Sequence, residues 1–474
     1  MKLRIVGVVA AALIGVQPAP ASSQVSGAWK IPFEGSASEP VVHEGILYIG
    51  AFDGSFQAID PRSGKPVWRY QTGVGLTSGP EIIVAPGRRF EDAMGAALSA
   101  LGQEKGRREI LATPVVDNST VYVGARDFKF YALDARTGQL RWSTDIRQPI
   151  SRKALSVGDV VLVHGAGQGS ERSRNAVFAL DKSDGRVLWS TEGRGQATYP
   201  AVSGELVFYG RKANPGNDAS AVATPAVVEA ADIHTGQVRW RQQLRGEPPE
   251  EVFTASGLVL ATSFTGGELV RLPDGVDYAP IAMELIALRA DSGQLAWRYS
   301  AGPFRPSRPP ELVIGKEHLY FVSPQGLHAI RIDTGQRAWL LEGTFSQFEM
   351  TIREALLFVH GDSSSGDDRI YAVDTRTGKV SWSYRDKNLF YTRAEADVLY
   401  ISADERLLAI ATATGKVLWK FKTGRAFKQG PRVSAKPIVF GQHVIFPTET
   451  NVIWGRDAIQ GQLFSVNKST GKIE

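Results

Sequence analysis

The sequence predicts an all-β fold, a closed propeller of four-stranded antiparallel blades. Three observations carry that expectation. A unit of about twelve residues, best seen as YALDARTGQLRW from Tyr131 to Trp142, is written nine times along the chain. Each copy follows two further strand signals, as in VVDNSTVYVGARDFKFYALD, which makes four short strands per unit. The successive tryptophans lie 74, 47, 51, 57, 42, 43 and 37 residues apart, the period of propeller blades. Closure of the array into a ring removes the two open sheet edges that a linear array would leave.

Within the unit, an aspartate such as Asp134 folds its carboxylate onto backbone N–H groups just ahead of it. Gly138 takes the left-handed conformation that closes the turn. The aliphatic flanks are strand formers, and the terminal tryptophan is a large amphipathic plug. The eight complete copies end at Trp68, Trp142, Trp189, Trp240, Trp297, Trp339, Trp382 and Trp419. Their turn glycines are Gly64, Gly138, Gly185, Gly236, Gly293, Gly335, Gly378 and Gly415. The ninth copy, FSVNKSTGKIE, contains Gly471 but stops at Glu474 before its tryptophan. The segment around Trp29, SGAWKI, resembles TGKVLWK at Trp419, so the N-terminal strand is expected to complete the C-terminal blade. Arg289, Arg331, Ala411 and Asn467 stand in place of the turn aspartate in four copies.

With 43% hydrophobic and 22% charged residues among 474, the composition is that of an ordinary folded protein. Residues 1–21 read as a secretory signal, with Lys2 and Arg4 ahead of the apolar run from Ile5 to Val16 and a small-residue site at Ala19-Pro20-Ala21. Its removal takes two cations and no anions, so the charge falls from +5 to +3. Residues 22–474 then form one propeller, a monomer in the periplasm or outside the cell, with no transmembrane segment in the mature chain. The chain has no cysteine, which excludes disulfides, thiolate metal sites, cysteine nucleophiles and a lipid-modified cysteine.

The A-x-D-x-x-T-G-x-x-x-W unit resembles the repeat of the quinoprotein alcohol dehydrogenase-like propellers, the PQQ-like repeats, over essentially everything after the signal. The resemblance implies eight blades by family default, against the nine units counted, with the tryptophan of each outer strand between neighbouring blades. In the dehydrogenases of that family it implies a quinone cofactor (PQQ) beside a vicinal disulfide, with Ca²⁺ held by carboxylate and amide side chains. This sequence cannot make the disulfide, and no Glu/Asn/Asp set matches the metal ligands. The resemblance extends to the scaffold propellers of the outer-membrane barrel assembly machinery, which implies a non-catalytic protein contacting strands by β-augmentation.

If strands run outward from the axis, the long insertions 72–114, 164–175, 210–226, 263–281, 360–369 and 447–461 gather on one face. That face is basic and includes Arg88, Arg89, Arg126, Arg211, Lys212 and Arg425. An anionic partner and an ordinary solvated surface both account for it. Trp454 lies outside the repeat position and is a candidate contact residue. Apolar residues at helical spacing suggest a short helix near 90–102 within the first insertion. The acidic loop from His360 to Asp368 lacks the alternating ligands of a Ca²⁺ loop and reads better as a solvated turn. The histidines have no metal-ligand spacing, and no phosphate loop or RNA-binding signature occurs. Three functions are consistent with these residues. The first is a binding scaffold acting through its loop face or blade edges. The second is a quinone-dependent dehydrogenase of alcohols or sugars, and the third a binder of anionic polysaccharide.

Overall fold

The computed structural model describes residues 28–34, 36–73, 110, 112–166, 175–192, 196–212, 226–246, 249, 251–265, 269–272, 275–278, 282–303, 311–345, 350–361, 368–403, 405–424, 432–449 and 460–473. Among them there is no helix, and the strands form nine antiparallel blade sheets. The expected signal, the helix near 90–102, Arg88, Arg89, Arg425 and Trp454 lie outside the described residues.

The second blade is the template. Its strands Val115–Asp117, Thr120–Gly124, Lys129–Asp134 and Leu140–Asp145 pair in sequence order from the inner strand to the outer one. The two middle strands are buried throughout except at the ends of the third, because both of their faces are covered. That is why they read as continuous apolar runs. The outer strand alternates, with Trp142 buried between exposed neighbours. The other blades lie at 41–71, 155–190, 196–243, 252–303, 313–342, 351–386 and 389–422. In the fifth, the insertion 263–281 continues the middle strands Leu258–Thr265 and Ala282–Arg289 and adds a hairpin of Leu269–Leu272 with Gly275–Tyr278.

The ninth blade is built from both ends of the described chain. Lys30–Glu34 pairs antiparallel with Gln460–Asn467, with Lys30 opposite Phe464 and Glu34 opposite Gln460. The N-terminal strand therefore stands as the outer strand of the C-terminal sheet, as the likeness between the Trp29 and Trp419 segments predicts.

By contacts the chain divides into two compact units, one of residues 1–156, 183–185 and 423–474, the other of 157–182 and 186–422. In each the core lies between consecutive sheets. In the first unit Tyr48, Phe56 and Trp68 of the first blade pack with Val121, Tyr131 and Leu133 of the second. In the second unit, Leu258, Leu285 and Trp297 of the fifth blade pack with Leu319, Phe321 and Ile330 of the sixth.

The repeating alanine has a structural reason. In every complete copy it faces the tryptophan across the two outer strands, as Ala132 faces Trp142 and Ala372 faces Trp382, and a register shift follows at once. A larger side chain at these fully buried positions would contend with the indole.

Candidate binding surface

The turn that opens each outer strand meets the tryptophan of the preceding blade. Trp68 Nε1 donates to the Ala135 carbonyl at 2.9 Å, one residue after the turn aspartate, and its ring lies against Gly138. Trp29 does the same to Pro61 (3.0 Å) over Gly64, and in the second unit Trp297 donates to Ile332 (2.7 Å) over Gly335. A Cβ built on Gly64, Gly138, Gly185, Gly236, Gly293, Gly335, Gly378 or Gly415 would stand 2.3–2.7 Å from a carbon of the indole above it. The glycine therefore answers two demands, a φ near +70° and a ring in contact. The structure places Trp29, Trp68, Trp142, Trp189, Trp240, Trp297, Trp339 and Trp382 as wedges between blades, and Trp29 takes the role that the ninth copy lacks.

Asp134 Oδ1 accepts from the backbone N–H of Arg136 (3.1 Å) and Thr137 (2.8 Å), and Oδ2 accepts from Arg141 (2.8 Å). Arg141, followed by these N–H groups, lowers its carboxyl to about 2. Where Arg289, Arg331 or Ala411 replaces the aspartate, the turn persists through the glycine N–H bonded to the carbonyl four residues back at 2.8–2.9 Å. The glycine and the backbone specify this turn, and the carboxylate braces it.

The basic residues foreseen on the insertion face divide when placed. Arg126 is half-buried in the turn after Thr120–Gly124. Lys212 ends the strand Leu206–Lys212, opposite Gln196. Arg211 is committed inward: its Nη2 lies 2.7 Å from Glu229 Oε1, which also accepts from Arg241 Nε at 2.6 Å. Glu229 is 2% exposed. Burial pushes its carboxyl up, and the two guanidiniums more than offset this, so that the net shift is downward. Arg211 is thus partnered within its own blade. Sequence reasoning passed over Glu229, although it is the one carboxylate at the position before the repeating alanine, where the other copies carry Gln57, Tyr131, Phe178, Ile286, His328, Tyr371, Leu408 and Phe464.

Three histidines are buried in the second unit, His164, His328 and His360, and two of them have lowered pKa values. His328 stacks on Phe321 at 4.6 Å and sits between Tyr299 OH (3.0 Å) and Ser323 Oγ (2.7 Å). Burial, with a smaller push from Arg337, lowers it to about 4. Burial also lowers His360 to about 4, against the opposing pull of Asp368. Both are neutral core histidines at neutral pH.

A second ionic centre joins the seventh and eighth blades, both in the second unit. Asp386, at the end of the outer strand Val380–Asp386, takes Arg406 and the backbone N–H of Lys387 on Oδ1. Its Oδ2 takes the Tyr384 hydroxyl (2.8 Å) and Lys420 (3.4 Å). One carboxylate thus serves two cations.

The outer strands themselves are the surface that the fold offers. Each ends its sheet, and five of them expose an aliphatic side chain one or two residues before the tryptophan: Leu140, Val187, Leu295, Val380 and Leu418, all at least 41% exposed. The quinone site implied by the resemblance lacks two of its parts among the described residues. Without cysteine the disulfide cannot form, and among the described residues no three of His, Asp and Glu stand together as a metal set.

Comparison with known proteins agrees with the repeat. A stretch of 279 residues is 26% identical to quinohemoprotein alcohol dehydrogenase ADH IIB of Pseudomonas putida, covering 57% of this chain and 34% of that protein. A stretch of 165 residues is 31% identical to outer membrane protein assembly factor BamB of Nitrosomonas eutropha, covering 32% of this chain and 37% of that one. The chain therefore spans about a third of the length of each of these relatives. The solved structure of quinohemoprotein alcohol dehydrogenase ADHIIG from Pseudomonas putida HK5 shares the fold, at a TM-score of 0.52 and 15% identity over 94% of this chain and 77% of that one. The family model described as outer membrane protein assembly factor BamB matches residues 88–217, 171–384 and 354–473, and the chain belongs to that family of PQQ-like repeat propellers.

Proposed function

We propose that this chain is an exported, non-catalytic scaffold that binds protein partners at the outer strands of its blades. The observation that carries the reading is the set of sheet-ending outer strands with exposed aliphatic side chains, a surface suited to an added extended strand. The family description, an assembly factor for outer membrane proteins, supports a partner of that kind. The apolar run and small-residue site within residues 1–21 support export. The repeat's own functional-looking residues are occupied in the fold, the tryptophans between blades and the turn aspartates within their own turns. The disulfide that accompanies the quinone in the dehydrogenases this repeat resembles cannot form in a chain without cysteine.

The test pairs two titrations of the purified protein. A dye-labelled, urea-unfolded outer-membrane β-barrel protein, diluted into the protein, is expected to give a saturable rise in fluorescence anisotropy. Pyrroloquinoline quinone with Ca²⁺ is expected to leave tryptophan fluorescence unchanged. Saturable quenching by the quinone together with dye-linked alcohol oxidation would overturn the proposal, as would an absence of any binding to the unfolded barrel protein.

A further inference from the structure

Several outer-strand arginines elsewhere pair with a carboxylate of their own blade. Arg69 pairs with Asp53 (2.9 Å), Arg141 with Asp134 (2.8 Å), Arg239 with Asp232 (2.9 Å) and Arg298 with Glu284 (3.6 Å). The eighth blade differs at its outer strand. Its turn aspartate is replaced by Ala411, and the outer strand Val417–Lys422 carries Lys420 and Lys422 and no acidic residue. Arg406 faces Lys422 directly across the sheet, a like-charge pairing that disfavours the bare surface. Asp386 of the seventh blade, which Arg406 and Lys420 share, offsets part of this charge.

The outer strand Val417–Lys422 presents its two lysines in a ladder. Trp419 points inward and is 8% exposed, while Leu418, Lys420 and Lys422 alternate with the covered positions and are exposed. Leu418 is 50% exposed. Same-face residues of a strand stand about 7 Å apart, the spacing of alternate side chains on any extended chain laid alongside it.

Resting on the scaffold reading above, we propose that this strand is the docking site for an extended acidic protein segment. The segment would carry one apolar and two acidic side chains at alternate positions, the apolar one against Leu418 and the acids against Lys420 and Lys422. The two exposed lysines, on a strand with no acidic residue, call for an anionic partner. The exposed leucine in line with the lysines selects a polypeptide over a polysaccharide, which has no apolar side chain to place there.

The probe is a labelled peptide with valine and two glutamates at alternate positions among serines, made in both orders, measured by anisotropy at low salt. A scrambled peptide with the glutamates adjacent and a heparin fragment serve as comparisons. The alternating peptide is expected to bind more tightly than the scrambled one. Lys420→Gln with Lys422→Gln should weaken it about tenfold, and Lys422→Gln alone, which leaves the Asp386 contacts intact, should weaken it several-fold. Leu418→Ser should weaken the peptide and leave heparin binding unchanged. Equal binding of the scrambled peptide, insensitivity to Lys422→Gln, or parallel loss of heparin and peptide on Leu418→Ser would each overturn the assignment. If the variants still bind the unfolded barrel protein, only this docking site fails. If the unaltered protein binds neither, the scaffold reading fails with it.

Discussion

Gly138→Ala tests the contact that organises the fold. Two costs are expected. Alanine at φ +71° pays the left-handed penalty of about 1–2 kcal/mol. Its Cβ would also stand 2.6 Å from Cδ2 and 2.7 Å from Cε3 of Trp68, well inside the ordinary carbon–carbon contact of about 3.5–4.0 Å. The ring has little room to move. It is 2% exposed, tied to the Ala135 carbonyl, and flanked by Tyr48 and Phe56 with centroids 6.0 and 5.7 Å away. Overpacking of this kind adds about 1–3 kcal/mol. Gly45 supplies the control, since it lies in the same unit at φ +77° with nothing within 4 Å of its built Cβ, so Gly45→Ala pays the first cost alone. Denaturant unfolding of both variants should therefore separate them by about 1–3 kcal/mol. In a Trp68→Ala background, itself destabilised by about 3–5 kcal/mol, the added cost of Gly138→Ala should fall to that of Gly45→Ala. If the two alanine variants agree to within about 0.5 kcal/mol in the unaltered background, the indole does not select the glycine and the account of the repeat is wrong.

Two further outcomes follow from the same geometry. Removal of residues up to Glu34 strips the outer strand from the ninth blade and uncovers Gly64, so the melting temperature should fall; Trp29→Ala should give much of the loss, and an unchanged melt for both would refute the completion of that blade. His328 and His360 are lowered to about 4 from an unfolded value of about 6.5, so between those values the unfolded chain binds protons that the folded one excludes. Stability is then full above about pH 6.5 and declines as pH falls toward about 4, by up to about 3 kcal/mol per histidine; His328→Gln should flatten the decline measured by thermal melts, and an identical slope would remove His328 from the account.

The sequence by itself determined the blade. Asp134 to Gly138 is a local turn, the alternation of the outer strands is local, and the spacing of the tryptophans counts the units without any knowledge of their packing. Even the completion of the ninth blade was legible, because Trp29 carries a copy of the outer-strand pattern at the wrong end of the chain. The partners of the side chains were decided by the tertiary structure alone. Arg211 reads as one more surface cation until the pairing of Leu206–Lys212 with Val227–Asp232 and Val238–Gln243 brings it, with Arg241, onto Glu229. Gly138 reads as a turn former until Trp68, 70 residues earlier, is laid across it. Asp386 gains its meaning only when the next blade brings Arg406 and Lys420 to it. Turn and strand preferences act over a few residues and so can be read from the order of the chain. A charge or an indole, by contrast, is satisfied by whatever the stacking of sheets places beside it, and that depends on register between segments far apart in sequence.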